Sequence, residues 1–130
     1  MKILIAEDDP VSGVVLETLL RKLGHSVMAC GDGDLAWRAY QQGDYRLVIS
    51  DWMMPEIDGL ELCRRIRESS RRDYCYFILA TTRAEKKDLV EAMNAGVDDF
   101  VTKPLSLRDV ETRLLLAERV LDRMEFRLQA

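Results

Sequence analysis

The chain has 130 residues, enough for a single domain with a substantial core, and its 48% apolar and 32% charged composition is that of a globular protein. A net charge of −4 argues against direct nucleic-acid binding, which usually shows a basic face. No apolar run approaches the ~20 residues that span a bilayer, the first residues lack the basic start and long apolar core of a signal peptide, and three widely spaced cysteines without a CxxC pair suit a reduced, cytoplasmic chain.

The first predicted strand, Ile3–Ala6, ends in Glu7-Asp8-Asp9. Three adjacent carboxylates repel one another, so solvent or a cation must lie among them. Asp9 before Pro10 reads as the N-cap and first residue of a helix over 10–23, with a metal ligand as the alternative. Gly24 closes that helix, and His25 in the following turn reads as structural. Next come a strand at Ser26–Cys30, a helix over 33–42 and Gly43; Cys30 reads as a small buried hydrophobe, as does Cys75 further on. The third strand, Leu47–Ser50, runs into Asp51 and Trp52, the latter placed to shield its neighbour and to report on it by fluorescence. Met54-Pro55 and Asp58-Gly59 mark a turn, with Asp58 capping a helix over 58–68. Arg64, Arg65, Arg67, Arg71 and Arg72 alternate with Glu61, Glu68 and Asp73 and read as a solvated face. The fourth strand, Phe77–Thr81, is followed by Thr82 and Arg83, then by a helix over 84–95 and Gly96. Left-handed caps suit Gly24, Gly43 and Gly96. The fifth strand, Phe100–Thr102, leads to Lys103-Pro104 and a helix from about 106.

Strand and helix thus alternate five times, and "ILIA", "LVIS" and "FILA" lack polar alternation, as central parallel strands covered on both faces do. The expected fold class is α/β, a doubly wound five-stranded parallel sheet. Ligands in such sheets sit beyond the carboxyl ends of the strands. Glu7, Asp8, Asp51, Thr81 and Lys103 all fall there. A small carboxylate pocket suits a hard divalent cation such as Mg²⁺, and Lys103 can reach a phosphoryl oxygen. Singly, each residue has a plainer reading: Asp51 as a cap, Thr81 as a strand end, Lys103 as a surface lysine, Phe100 as core.

The segments "ILIAEDDP", "VISDWMMPEIDG", "ILATT" and "FVTKP" resemble, in order and spacing, the receiver domain of two-component response regulators. The resemblance implies a flavodoxin-like (βα)5 fold with strand order 2-1-3-4-5. It implies that Asp51 is phosphorylated by a histidine kinase or histidine phosphotransfer protein. Glu7, Asp8, Asp51 and the Met53 backbone carbonyl would hold Mg²⁺, or Mn²⁺ in its place. Thr81 and Phe100 would act as the switch pair, Lys103 would contact the phosphoryl group, and the Lys103–Pro104 bond would be cis. The product is a conformation, not a turned-over substrate: the face built from the fourth helix, fifth strand and fifth helix biases an output domain or partner protein. Thr82 stands where the family usually has alanine or glycine. Met53 and Arg83 occupy the positions that modulate water access to the acyl phosphate, and methionine cannot orient a water, so slow self-dephosphorylation is expected.

Leu107, Val110, Leu114, Ala117, Leu121, Met124 and Leu128 form an a/d seam along the last helix. Its first part is expected to pack on the sheet. The chain therefore divides into a receiver domain, 1–118, and a helical extension, 119–130, in which Leu121–Leu128 projects as a coiled-coil linker or homodimer segment. An aspartyl-phosphate phosphatase would want an aspartate where Met53 stands, and a flavin module would not place "EDDP" against a phosphate. A receiver used for docking without phosphorylation is the remaining alternative.

Overall fold

The computed structural model describes residues 1–69, 73–83 and 85–129, and side chains as far as 126; Arg71, Arg72 and the Leu128 side chain lie outside the described residues. The elements are β1 (Lys2–Ala6), α1 (Pro10–Lys22), β2 (Ser26–Cys30), α2 (Gly33–Gln42), β3 (Leu47–Asp51), α3 (Gly59–Glu68), β4 (Tyr76–Thr81), α4 (Lys86–Ala95), β5 (Asp99–Thr102) and α5 (Leu107–Gln129). All neighbouring strands run parallel, in the order β2-β1-β3-β4-β5, so the flavodoxin-like doubly wound sheet is as expected. Among the described residues no helix is long and apolar enough to cross a membrane.

The period-two alternation of the strands divides the core in two. Leu4, Val48, Phe77 and Leu79 face α2, α3 and α4, packing on Ala36, Tyr40, Leu60, Cys63, Ile66 and Ala92. Ile3, Ile5, Leu47, Ile49 and Ile78 face the other way, onto Leu16 and Leu20 of α1 and Val110, Leu114 and Ala117 of α5. Helix starts are set by aspartates: Asp9, Asp32 and Asp58 accept hydrogen bonds from the amides of Ser12, Leu35 and Glu61 at 3.1, 2.8 and 2.8 Å. Gly24 and Gly96 adopt left-handed conformations, with φ of 93° and 100°. Gly43 does not: its φ is −127°, and its missing side chain makes room for the Tyr45 ring, 2.4 Å from where a Cβ would sit.

Several surface readings change on folding. Arg67 is not solvated like Arg64 and Arg65. Its guanidinium donates to the carbonyls of Cys75 (2.6 Å) and Gly96 (3.0 Å) and to Asp98 Oδ2 (2.8 Å), so it ties α3 to the start of β4 and the turn before β5. Cys75 is buried, whereas Cys30 is only partly covered because β2 is an edge strand. Burial pushes the Cys63 thiol up to about 11 and the Cys75 thiol up to about 12, which keeps both as inert thiols. His25 is structural: the N-terminal ammonium donates to its Nδ1 at 3.0 Å, and its Nε2 lies 3.3 Å from Glu118.

The C-terminal seam also shifts. Leu107 is 44% exposed, while Leu121 is 3% exposed and belongs to the core. Leu121 does not project: it packs in the cluster that holds Leu16, Leu20 and the partly buried Met1, and Arg46 reaches Glu125 at 3.4 Å. Phe126 is 72% exposed. Leu121→Ala is therefore expected to lose about 2–4 kcal/mol of stability, and Phe126→Ala to stay within about 0.5 kcal/mol. Urea denaturation of the two variants measures this, and no loss at Leu121 would place the end of the packed domain before it.

Candidate functional site

Strand register delivers the acidic and basic groups to one edge. Ala6 pairs with Ser50, so Glu7 falls beside Asp51, and Asp51 in turn pairs with Ala80. Beyond the strands, backbone bonding continues one step. The amides of Glu7, Trp52 and Lys103 donate to the carbonyls of Cys30, Ala80 and Thr81 at 3.0, 3.1 and 3.0 Å. The side chains at this edge therefore inherit the rigidity of the sheet. The Lys103–Pro104 bond is cis.

The loop after Asp51 returns tightly onto it. The Gly59 amide donates to the Trp52 carbonyl at 2.7 Å, and a Cβ on Gly59 would lie 2.2 Å from the Asp51 carbonyl oxygen. Only glycine fits there, a requirement that the turn reading of Asp58-Gly59 did not anticipate. Within the same loop Glu56 has a φ of 70°, an uncommon conformation for a residue with a Cβ.

Glu7, Asp8 and Asp51 each offer a carboxylate oxygen, and these atoms lie within 4.8 Å of one another. Glu7 and Asp51 are buried and Asp8 is exposed. Lys103 Nζ sits between the two buried groups, 2.5 Å from Asp51 Oδ1 and 3.0 and 3.3 Å from the two Glu7 oxygens. Burial holds the Asp51 carboxyl above its ordinary value, while Lys103 and the Asp8 amide pull the other way without cancelling it. One ammonium against three carboxylates leaves an excess of negative charge. That donor set, all oxygen and partly open to water, fits a hard divalent cation. A cleft of about 270 Å³, lined in part by Pro10, Val14 and Cys30, opens beside Glu7 and Asp8.

Asp9 stays apart from this group. Its carboxylate accepts hydrogen bonds from the Ser12 amide and hydroxyl, which hold its carboxyl below the ordinary value. Thr81 is buried at the end of β4, and its Oγ1 accepts a hydrogen bond from the Arg83 amide at 2.8 Å. Phe100 is partly buried and packs on the cluster that includes Trp52 and Ala92. Thr82 is exposed at the rim. Met53 and Arg83 touch each other, with Arg83 Nη1 3.8 Å from the Met53 sulfur. Arg83 also lies over the buried Trp52 ring, 4.6 Å from its centroid, and reaches the buried Asp88 at 3.4 Å. Asp88 carried no signal in the sequence, where it looks like an acid in the first turn of a helix.

Residues 3–115 match the family model described as the response regulator receiver domain. The chain is 35% identical over 119 residues to the transcriptional regulatory protein TcrA of Mycobacterium tuberculosis, which covers 92% of this chain and 46% of that protein. It is 30% identical over 116 residues to a chemotaxis protein CheY homolog of Campylobacter jejuni, covering 88% of this chain and 89% of that one. Among solved structures it resembles the receiver domain of the sensor histidine kinase PA1611 from Pseudomonas aeruginosa, which has a magnesium ion coordinated in its active site cleft. That match has a TM-score of 0.77 at 30% identity and covers 94% of each chain. The chain spans about half the length of the transcriptional regulators it matches.

The electrostatics generate a stability prediction. Without divalent cations, Asp51→Asn removes a buried charge that faces Glu7 and Asp8, so the variant is expected to be more stable than the natural chain by roughly 1 kcal/mol at neutral pH. Adding Mg²⁺ should narrow the gap, because the natural chain alone keeps the full carboxylate set. Paired urea denaturation curves with and without Mg²⁺ measure both effects, and a less stable Asp51→Asn would contradict the charge argument.

Proposed function

The chain belongs to the response regulator receiver domain family, whose members are phosphorylation-dependent signalling switches, and on that premise we propose that Asp51 is its phosphoacceptor. The observation that carries this reading is the buried Asp51 carboxylate at the end of β3, with Lys103 at 2.5 Å and two further carboxylates within 4.8 Å. The proposed donor is a phosphohistidine on a histidine kinase or phosphotransfer protein. An Asp51 carboxylate oxygen attacks phosphorus, a new P–O bond forms, the P–N bond breaks, and the electron pair stays on the ring nitrogen, so the imidazole, its other nitrogen already protonated, leaves as the neutral base. Lys103 neutralises one phosphoryl oxygen, as an ammonium already in contact with the acceptor is placed to do. Thr81, whose Oγ1 accepts from the Arg83 amide and still has its own proton to give, donates it to another phosphoryl oxygen.

Glu7, Asp8, Asp51 and the Met53 carbonyl are the residues proposed to hold Mg²⁺, or Mn²⁺ in its place; when bound, the ion supplies charge neutralisation for the phosphoryl oxygens during in-line transfer. Phe100 is proposed to follow Thr81, since it packs on the cluster that includes Trp52 and sits on the strand beside β4. The result is a population shift at the face of α4, β5 and α5, read by an output domain or a separate partner in the cytoplasm. For the C-terminal part of α5 we propose a linker or homodimer role; the exposed Phe126 supports it.

Incubation with acetyl phosphate and Mg²⁺, followed by intact mass measurement, is expected to give a single phosphoryl adduct that Asp51→Asn abolishes. An adduct independent of Mg²⁺, or retained in Asp51→Asn, would overturn the reading. Because neither Met53 nor Arg83 presents a carboxylate or carboxamide to orient a water, the adduct should outlast removal of the donor by minutes, and loss within seconds would count against that role.

A further inference from the structure

Beyond Glu7 and Asp51, the described residues hold a third buried carboxylate. Asp88 lies in the first turn of α4, is 5% exposed, and is ion-paired with Arg83 Nη2 at 3.4 Å. Arg83 is a junction. Its amide donates to Thr81 Oγ1, its guanidinium covers Trp52, its Nη1 rests on the Met53 sulfur, and its Nη2 meets Asp88. Trp52 and Met53 directly follow Asp51 in the chain. One residue thus touches the switch hydroxyl, the segment after the acceptor, and α4.

We propose that Asp88 is a positioning residue that holds Arg83 folded over Trp52, and that a phosphoryl group on Asp51 competes with Asp88 for the Arg83 guanidinium. The proposal rests on Asp51 being the acceptor. Its physical basis is a difference between two anions. Asp88 meets Arg83 at 3.4 Å, long for a charge-assisted hydrogen bond. A phosphoryl group carries about −1.5 to −2 charges and several acceptor oxygens, which a planar guanidinium can take in pairs. Asp88 is then a buried carboxylate without its cation. The first turn of α4 has to open to water or find another donor, because leaving the charge unpaired is costly. Occupancy of Asp51 is in this way converted into a change at α4.

The experiment uses the full chain with Trp37→Phe, leaving Trp52 as the reporting tryptophan, titrated with beryllium trifluoride and Mg²⁺ as the phosphoryl mimic. Binding is expected to change Trp52 fluorescence as the guanidinium leaves its ring. Asp88→Asn, which removes the competitor, should bind the mimic roughly three- to fivefold more tightly, with its unliganded fluorescence already moved toward the bound value. Asp88→Glu should restore natural behaviour, and in an Arg83→Gln background Asp88→Asn should have no further effect. A denaturation curve for each variant confirms that it is folded, and Asp88→Ser provides a second uncharged variant should the asparagine fail. Unchanged or weaker binding in the uncharged variants overturns the competition, as does an Asp88 effect that survives without the Arg83 guanidinium. Absence of any Mg²⁺-dependent binding that Asp51→Asn removes would instead sink the acceptor assignment, and the competition with it.

Discussion

Carboxylates forced together at one edge of a parallel sheet are the constraint on which the rest of this structure depends. Parallel pairing of β1 and β3 makes their carboxyl ends coincide, so Glu7 and Asp51 cannot avoid each other. Burial keeps Asp51 from relaxing into water and leaves Lys103 as the cation that offsets the repulsion. Such an edge is tense without a divalent cation and receptive to one. The same excess negative charge that opposes close packing of these side chains is what favours a hard divalent cation among them.

The scaffold answers that tension with rigidity on three sides and leaves one side adjustable. Backbone hydrogen bonds carry the sheet past Glu7, Trp52 and Lys103, and the close approach of Gly59 to the Asp51 carbonyl fixes the backbone of Asp51. On the fourth side Arg83 bridges Thr81, the Trp52 ring and Asp88 of α4. A switch needs this division, since an input must be placed to within a fraction of an ångström while some element stays free to respond.

The fold and the acidic edge were legible in the sequence because both follow from local pattern. Uniform apolar runs in "LVIS" and "FILA" require strands covered on both faces, and the topology then puts whatever follows them at one edge. What stayed hidden depends on distance between segments far apart in the chain. Arg67 looks like one of five solvated arginines until the turns around Cys75 and Gly96 present their carbonyls to it. Asp88 looks like an ordinary acid at a helix start until Arg83 folds back onto it. Gly43 follows a helix, where a left-handed cap is the common use, yet it is there to clear the Tyr45 ring. Leu121 continues a heptad that no periodicity can end, and only the residues beneath it decide where packing stops.

The length of α5 has a mechanical consequence. At 23 residues it is about 35 Å long, and it is fastened on one side to β5 through the ion pair of Arg113 with Asp99 and to the sheet through Val110, Leu114 and Ala117. Leu121 and the Arg46–Glu125 pair hold it again further along, so α5 is a strut fixed at several points. A tilt of about 10° about its first turn would carry its far end roughly 6 Å, and it could not happen without parting Leu121 from the core.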